Sequence, residues 1–169
     1  MIYKDFGRTG KKVSALGMGV SRFRPEEYST PAGMERCAEI IAKAWECGGN
    51  YFDVAPTYCG WRAEEMLGMA LKQMHSPVYV ATKSSSTQDP TADALRRRLE
   101  VSLKKLGLEK ITFYNMWGIL NYDQYLDVIK PGGPYEGAMK AKEEGLIEHI
   151  GFSSHCTGEE IEKILEDDL

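Results

Sequence analysis

Apolar residues recur along this chain with two alternating periods. Short β-type runs give way to stretches in which apolar residues return every three or four positions, and the exchange repeats to the last residues. Residues 2–14 read as a hairpin turning at Gly7-Arg8-Thr9-Gly10. Residues 15–20 form a short buried strand that leads into a polar loop through Thr30. Residues 31–47 predict a helix with Met34, Cys37, Ile40, Ile41, Ala44 and Trp45 on one face, stopped by Gly48-Gly49. A second strand at 50–54 precedes a helix over 63–74, with Met66, Leu67, Ala70 and Leu71 turned inward.

The third strand, 77–83, runs into a polar loop and Asp89-Pro90, which reads as an N-cap followed by proline at the first helical position. Leu95, Leu99, Leu103 and Leu106 then recur at helical spacing up to Gly107. A fourth strand spans 110–117, and a long connection holds a short helix at 122–129 and the breaker Pro131-Gly132-Gly133-Pro134. A helix over 135–144 and a fifth strand over 147–152 follow. Thr157-Gly158-Glu159-Glu160 matches a capping box ahead of Ile161, Ile164 and Leu165. Five βα units in succession, without a linker or a low-complexity segment, predict one α/β domain with a parallel sheet.

Composition narrows the picture little. A chain of 169 residues, 43% hydrophobic and 27% charged, suits a single globular domain with a buried core. Its net charge of −4 offers no electrostatic reason to expect nucleic acid or an anionic membrane as partner. No apolar run approaches the roughly 20 residues that span a bilayer, and the first residues do not read as a signal peptide. Cys37, Cys47, Cys59 and Cys156 show neither C-x-x-C pairing nor metal-ligand spacing, so reduced thiols in a cytoplasmic protein are expected. His75 and His149 read as surface residues, and Met66, Met69 and Met74 as core filler.

The chemistry gathers where strands end. Asp53 closes the second strand just ahead of Ala55-Pro56-Thr57-Tyr58, and Lys83 closes the third. In a parallel α/β fold the carboxyl ends of neighbouring strands meet on one face, where active sites are built. A carboxylate, a phenol and an amine there make a proton-donating unit, in which the amine lowers the phenol's pKa and the carboxylate holds the amine. A structural ion pair beside a packing tyrosine is the plainer alternative. Gly17-Met18-Gly19 lacks the third glycine of a dinucleotide fingerprint, and no glycine-rich loop ends as a P-loop does. Arg96-Arg97-Arg98 reads as the solvated face of its helix.

Several runs resemble the aldo-keto reductases. They are Phe6-Gly7-Arg8-Thr9-Gly10, Val13-Ser14-Ala15-Leu16-Gly17-Met18-Gly19, residues 50–58, Glu65-Met66-Leu67-Gly68, Ala81-Thr82-Lys83 and Ser102-Leu103-Lys104-Lys105-Leu106. Ala141-Lys142-Glu143-Glu144-Gly145 and Ile150-Gly151-Phe152-Ser153-Ser154-His155 complete the pattern in order. The closing run is similar to the branch of predicted oxidoreductases whose members often carry a C-terminal iron–sulfur segment. The resemblance implies a (β/α)8 TIM barrel that reduces carbonyls with NADPH, NADH not being excluded. It makes Tyr58 the general acid, Lys83 its activating amine and Asp53 the carboxylate that orients the lysine and borders the cofactor. It also implies that Gly19, Val20 and Ser21 border the nicotinamide and substrate, and that Ser153 and Ser154 hold the carboxamide.

Two departures qualify these implications. The family's usual histidine position falls on Trp117, whose indole offers an N–H donor or an aromatic wall, and a serine rather than an asparagine follows Ser153. His155 reads as solvent-exposed or capping rather than facing the pocket. A complete barrel needs eight strands and about 250 residues, so 1–169 reads as its N-terminal part, a hairpin plus five βα units. The acidic end Glu166-Asp167-Asp168-Leu169, on the helix pole that prefers cations, is read as the cut end of a longer sequence in preference to a solvated tail. The alternative function is a non-catalytic half-barrel that associates through exposed strand edges. A lyase or isomerase barrel has no metal or phosphate signature behind it, and no metal site is expected within the chain.

Overall fold

The computed structural model describes residues 1–75 and 77–167. The chain opens with an antiparallel hairpin, β1 (Tyr3–Asp5) and β2 (Lys12–Ser14), turned through Gly7 and Gly10 at φ 56° and 71°. Five parallel strands follow in sequence order across one sheet: β3 (Met18–Gly19), β4 (Tyr51–Asp53), β5 (Tyr79–Ser85), β6 (Ile111–Ile119) and β7 (Ile147–Ser154). The helices are α1 (Pro25–Tyr28), α2 (Pro31–Glu46), α3 (Tyr58–Trp61), α4 (Ala63–Leu71), α5 (Ala92–Leu106), α6 (Tyr122–Ile129), α7 (Pro134–Glu143) and α8 (Gly158–Glu166). The expected hairpin and five βα units are all present, in one continuous core. Of the acidic end, Asp168 and Leu169 lie outside the described residues.

Strand alternation sorts the sheet into two faces. Phe52, Val80, Thr82, Tyr114 and Met116 are buried beneath the helices. Tyr51, Asp53, Ala81, Lys83, Phe113, Asn115, Trp117, Gly151 and Ser153 alternate with them on the opposite face. The hairpin is anchored at the amino end of this second face. Phe6 meets Phe113 edge-on at 5.0 Å, and the Asn50 amide accepts from Ser14 N at 2.7 Å and donates to Lys12 O at 2.9 Å. His149 stacks on Phe113 at 5.3 Å and is half-buried, not a free surface residue, because the hairpin's aromatic ring leaves an apolar wall for it. The carboxyl end of the same face carries Asp53, Lys83, Trp117 and Ser153.

Some boundaries differ from the sequence reading for local reasons. Helix α5 is capped by Thr91, whose hydroxyl accepts from Ala94 N at 3.2 Å. Asp89 is turned inward, taking the Ser84 hydroxyl at 2.9 Å and the Arg98 guanidinium at 3.1 Å, and is not free to cap. Arg98 accordingly leaves the solvated face assigned to its triplet. Strand β6 continues past Trp117 through a bulge at Gly118, whose φ of 79° suits glycine. The capping box on α8 forms as expected, with reciprocal bonds between Thr157 and Glu160. An apolar cavity of about 240 Å³ lies behind the sheet among β6, β7 and α6 to α8, lined by Met116, Ile119, Val128 and Ile150. None of the candidate site residues lines it.

Candidate active site

Asp53 and Lys83 stand two strand positions apart on adjacent strands, since Asp53 is in register with Ala81. A small residue at 81 leaves the lysine free to lean back across the sheet. Its Nζ donates to both Asp53 carboxylate oxygens, at 2.8 and 3.0 Å. The lysine side chain is only 8% exposed while that of Asp53 is 34% exposed, so the pair is anchored inside and open outside. Lys83 Nζ also donates to Tyr58 Oη at 3.2 Å and lies 4.9 Å from the centre of that ring. The carboxylate, amine and phenol expected from the strand ends do converge. The phenol oxygen accepts from the ammonium, which leaves its own O–H free to be donated into the open face.

Tyr58 reaches this position on an unusual piece of backbone. Cys59, Gly60 and Trp61 have φ of 49°, 58° and 71°, so α3 winds left-handed. For the two non-glycine residues that conformation costs about 1–2 kcal/mol each. Compensation comes from neighbours. Cys59 is buried with its thiol toward Val20 O at 3.8 Å, Lys105 Nζ donates to Trp61 O at 2.7 Å, and the Arg98 guanidinium lies 5.0 Å from the Trp61 ring. Burial also pushes the Cys59 thiol up, so it is a packing group and not a nucleophile. No periodicity announces such a turn. The one signal was Gly60 beside a break between strand and helix.

Trp117 stands in register with Ser85 and Ser153, and its ring meets Tyr58 edge-on at 6.5 Å. It walls the phenol on the side where the sheet continues to β7. Asn115, which the sequence reading passed over, belongs to the same face: it is in register with Lys83 and Gly151. A Cβ on Gly151 would lie 2.7 Å from Asn115 Oδ1, so the glycine makes room for that amide. Counting back by two from Trp117 would have found it.

The remaining expected site residues divide. Gly19 is exposed, with no atom within 4 Å of a Cβ placed there, and Ser153 is exposed at the carboxyl end of β7. Ser21 is partly exposed in the loop that follows Gly19. Val20 is fully buried in the core, with its N–H on Asp53 O at 2.8 Å, so it ties the loop to β4. Ser154 accepts from Cys156 N at 2.9 Å, and, as the next residue in a strand, it alternates to the face opposite Ser153. The structure therefore gathers Asp53, Tyr58, Lys83 and Trp117 closely, sets Gly19 and Ser153 at the rim, and turns Val20 and Ser154 away. His155 is exposed, as expected.

Behind Lys83 lies a second polar group. Glu64 on α4 is fully buried and accepts from the Thr82 hydroxyl at 2.9 Å. Burial pushes its carboxyl up, opposed by the neighbouring Ser102 and Thr82 hydroxyls. Tyr114, also fully buried, is likewise raised by burial. Among the described residues all four cysteines are free thiols, and no helix is long and apolar enough to cross a membrane.

Known proteins resemble this chain in sequence and fold. The sequence profile of the Aldo/keto reductase family matches residues 15–169. L-galactose dehydrogenase of Arabidopsis thaliana is 30% identical over 158 residues, covering 89% of this chain and 47% of that protein. A thermostable aldo-keto reductase crystallised with the inhibitor epalrestat superposes with a TM-score of 0.76 at 26% identity, over 98% of this chain and 58% of that one. An aldo-keto reductase of Klebsiella pneumoniae in complex with NADPH superposes with a TM-score of 0.72, over 92% of this chain and 50% of that one. At 22% identity the last is a likeness of fold. The chain spans about half the length of the curated relatives it matches, and its open five-stranded sheet is part of a TIM-barrel type of fold.

Proposed function

The chain belongs to the aldo/keto reductase family, and on that premise we propose that it carries the proton-donating half of a carbonyl reductase. The observation that supports this reading is the single ammonium shared between Asp53 and Tyr58 at 2.8 and 3.2 Å. An aldehyde or ketone oxygen placed over the open face would accept the Tyr58 O–H, and the phenolate left behind would keep the Lys83 N–H already aimed at it. Asp53 holds the lysine by two bonds, so the ammonium stays directed at the phenol when the charge moves. Trp117 replaces the family's usual histidine, which favours substrates that gain from an aromatic wall over those that need a second polar contact.

A reduced nicotinamide, NADPH in the reading we favour, supplies the hydride in this chemistry. The open space at Gly19 and the exposed Ser153 on either side of the trio fit a flat ring, with Ser21 and Asp53 at its border. Val20, whose N–H is on Asp53 O, and Ser154, whose hydroxyl takes Cys156 N, stay out of that contact. Four free thiols suit a cytoplasmic setting.

The experiment is NADPH oxidation with an aldehyde panel, on the parent and on Tyr58→Phe, together with quenching of tryptophan emission by NADPH. Turnover in the parent, lost on substitution while the quench persists, is expected. Turnover unchanged in Tyr58→Phe would remove the phenol from the role of acid.

A second reading draws on the sheet edges. Among the described residues β3 pairs only with β4 and β7 only with β6, and Phe152 on β7 is 39% exposed. Association through these edges would cover them. Light scattering at increasing concentration tests it, and a monomer throughout would count against it.

A further inference from the structure

Tyr58 and Lys83 are joined on the open face of the sheet by one bond of 3.2 Å, yet a second connection runs between them on the helix side. It starts at Ser84, the residue after Lys83, which alternates to the outer face and donates its hydroxyl to Asp89 at 2.9 Å. Asp89 is 5% exposed and takes the Arg98 Nε at 3.1 and 3.3 Å. The Arg98 guanidinium in turn lies 5.0 Å from the centre of the Trp61 ring. Trp61 ends the left-handed turn that directly follows Tyr58, and Lys105, from the same helix as Arg98, holds its carbonyl at 2.7 Å.

We propose that Asp89, Arg98 and Trp61 are positioning residues, which set the distance between the Tyr58 phenol and the Lys83 ammonium from the helix side of the sheet. The inference rests on the functional reading above and adds to it. A left-handed turn with two non-glycine residues does not hold itself. It needs an external restraint, and helix α5 provides two on Trp61. The same helix face, through Asp89, also fixes the rotation of β5 at Ser84 and hence the direction in which Lys83 leaves the strand. One buried carboxylate therefore ties the proton donor's turn to the ammonium's strand. The planar guanidinium matters here because it can pair with Asp89 and stack on the indole at once.

Tyr58 ring resonances in chain labelled with 13C-tyrosine, assigned from Tyr58→Phe, read the phenol's surroundings without any need for catalysis. Trp61→Leu should move the Tyr58 signal toward that of a solvent-exposed tyrosine, while signals of the buried Tyr114 and Tyr125 stay in place. Arg98→Lys keeps the charge for Asp89 but loses the planar stack, and should move the signal in the same direction. Trp61→Phe, which keeps a ring for the cation, should return at least half of the shift. A Tyr58 signal unmoved in both Trp61→Leu and Arg98→Lys would overturn the proposal. NADPH-dependent aldehyde reduction on the same samples should fall about tenfold in kcat with little change in KM. Absence of turnover in the parent would count against the functional reading alone, because the resonance shifts decide the positioning role by themselves.

Discussion

Replacing Gly137 by alanine tests how closely the helices behind the candidate site are packed. Gly137 lies buried in α7 against the first residue of α5. A Cβ placed there would stand 2.6 Å from the Ala92 carbonyl oxygen and 2.8 Å from Ala92 Cα. The carbon pair is short of its ~3.5 Å optimum by roughly 0.7 Å. Both atoms are backbone, so no side chain can swing aside, and α7 must back away from α5. Overpacking of this kind costs about 1–3 kcal/mol, and backbone against backbone belongs near the upper end. Alanine recovers about 1 kcal/mol of helix propensity. The clash wins, leaving a net loss of about 1–2 kcal/mol and a fall in Tm of about 3–6 °C for a chain of this size. Gly158, at the start of α8, is the control, since a Cβ there meets nothing within 4 Å. Gly158→Ala should be neutral or stabilising. Thermal unfolding followed by circular dichroism compares the two, and a Gly137→Ala protein as stable as the parent would refute the close approach.

Other consequences follow from individual side chains. Burial raises the Glu64 carboxyl above its ordinary 4.5, so the folded chain binds that proton more tightly than the unfolded chain does. The associated stabilisation is full below 4.5 and is lost as pH rises through the raised folded value, at no more than about 1.4 kcal/mol per pH unit. Glu64→Gln should remove that decline in urea midpoints as pH rises above 4.5; an unchanged pH dependence would contradict it. Lys83→Met should cut kcat/KM for aldehyde reduction by at least about 100-fold. Because Asp53 is one-third exposed, water can take over part of the lost pairing, so the stability loss should be nearer 1–2 than the ~3–5 kcal/mol of a sealed pair. Trp117→His should raise kcat for small aldehydes by roughly tenfold if a polar contact beside Tyr58 is what the indole fails to supply; unaltered kinetics would show that position 117 acts only as a wall.

The order of elements was legible from periodicity because each helix and strand buries one face and exposes another. Met66, Leu67, Leu95 and Leu99 announce their helices, and all four are fully buried. The strand end at Asp53 was legible for the same reason, whereas β5 does not close at Lys83 but runs on to Ser85, because Ser84 pairs inward with Asp89. Parallel pairing still sets Asp53 and Lys83 on one face. The resemblance to the reductases is what suggested the roles proposed for Tyr58, Trp117 and Ser153.

Other features depend on contacts between residues far apart in sequence, and only the tertiary structure decided them. Arg98 reads as solvated because its neighbours are arginines, yet the β5–α5 loop delivers Asp89 to it from nine residues away. Asp89 reads as a cap because proline follows it, yet the Ser84 hydroxyl and Arg98 compete for the same carboxylate and win. His149 reads as a surface residue until the hairpin's Phe6 and the strand's Phe113 build an aromatic wall beside it. The left-handed turn at Cys59–Trp61 opposes local preference altogether, so no local pattern could show it. It is sustained by α5, on the far side of a strand that the sequence had not yet reached. Local alternation determined what the elements are and set Asp53 and Lys83 on one face of the sheet; the contact between Tyr58 and Lys83 exists only once the sheet and its helices have closed around them.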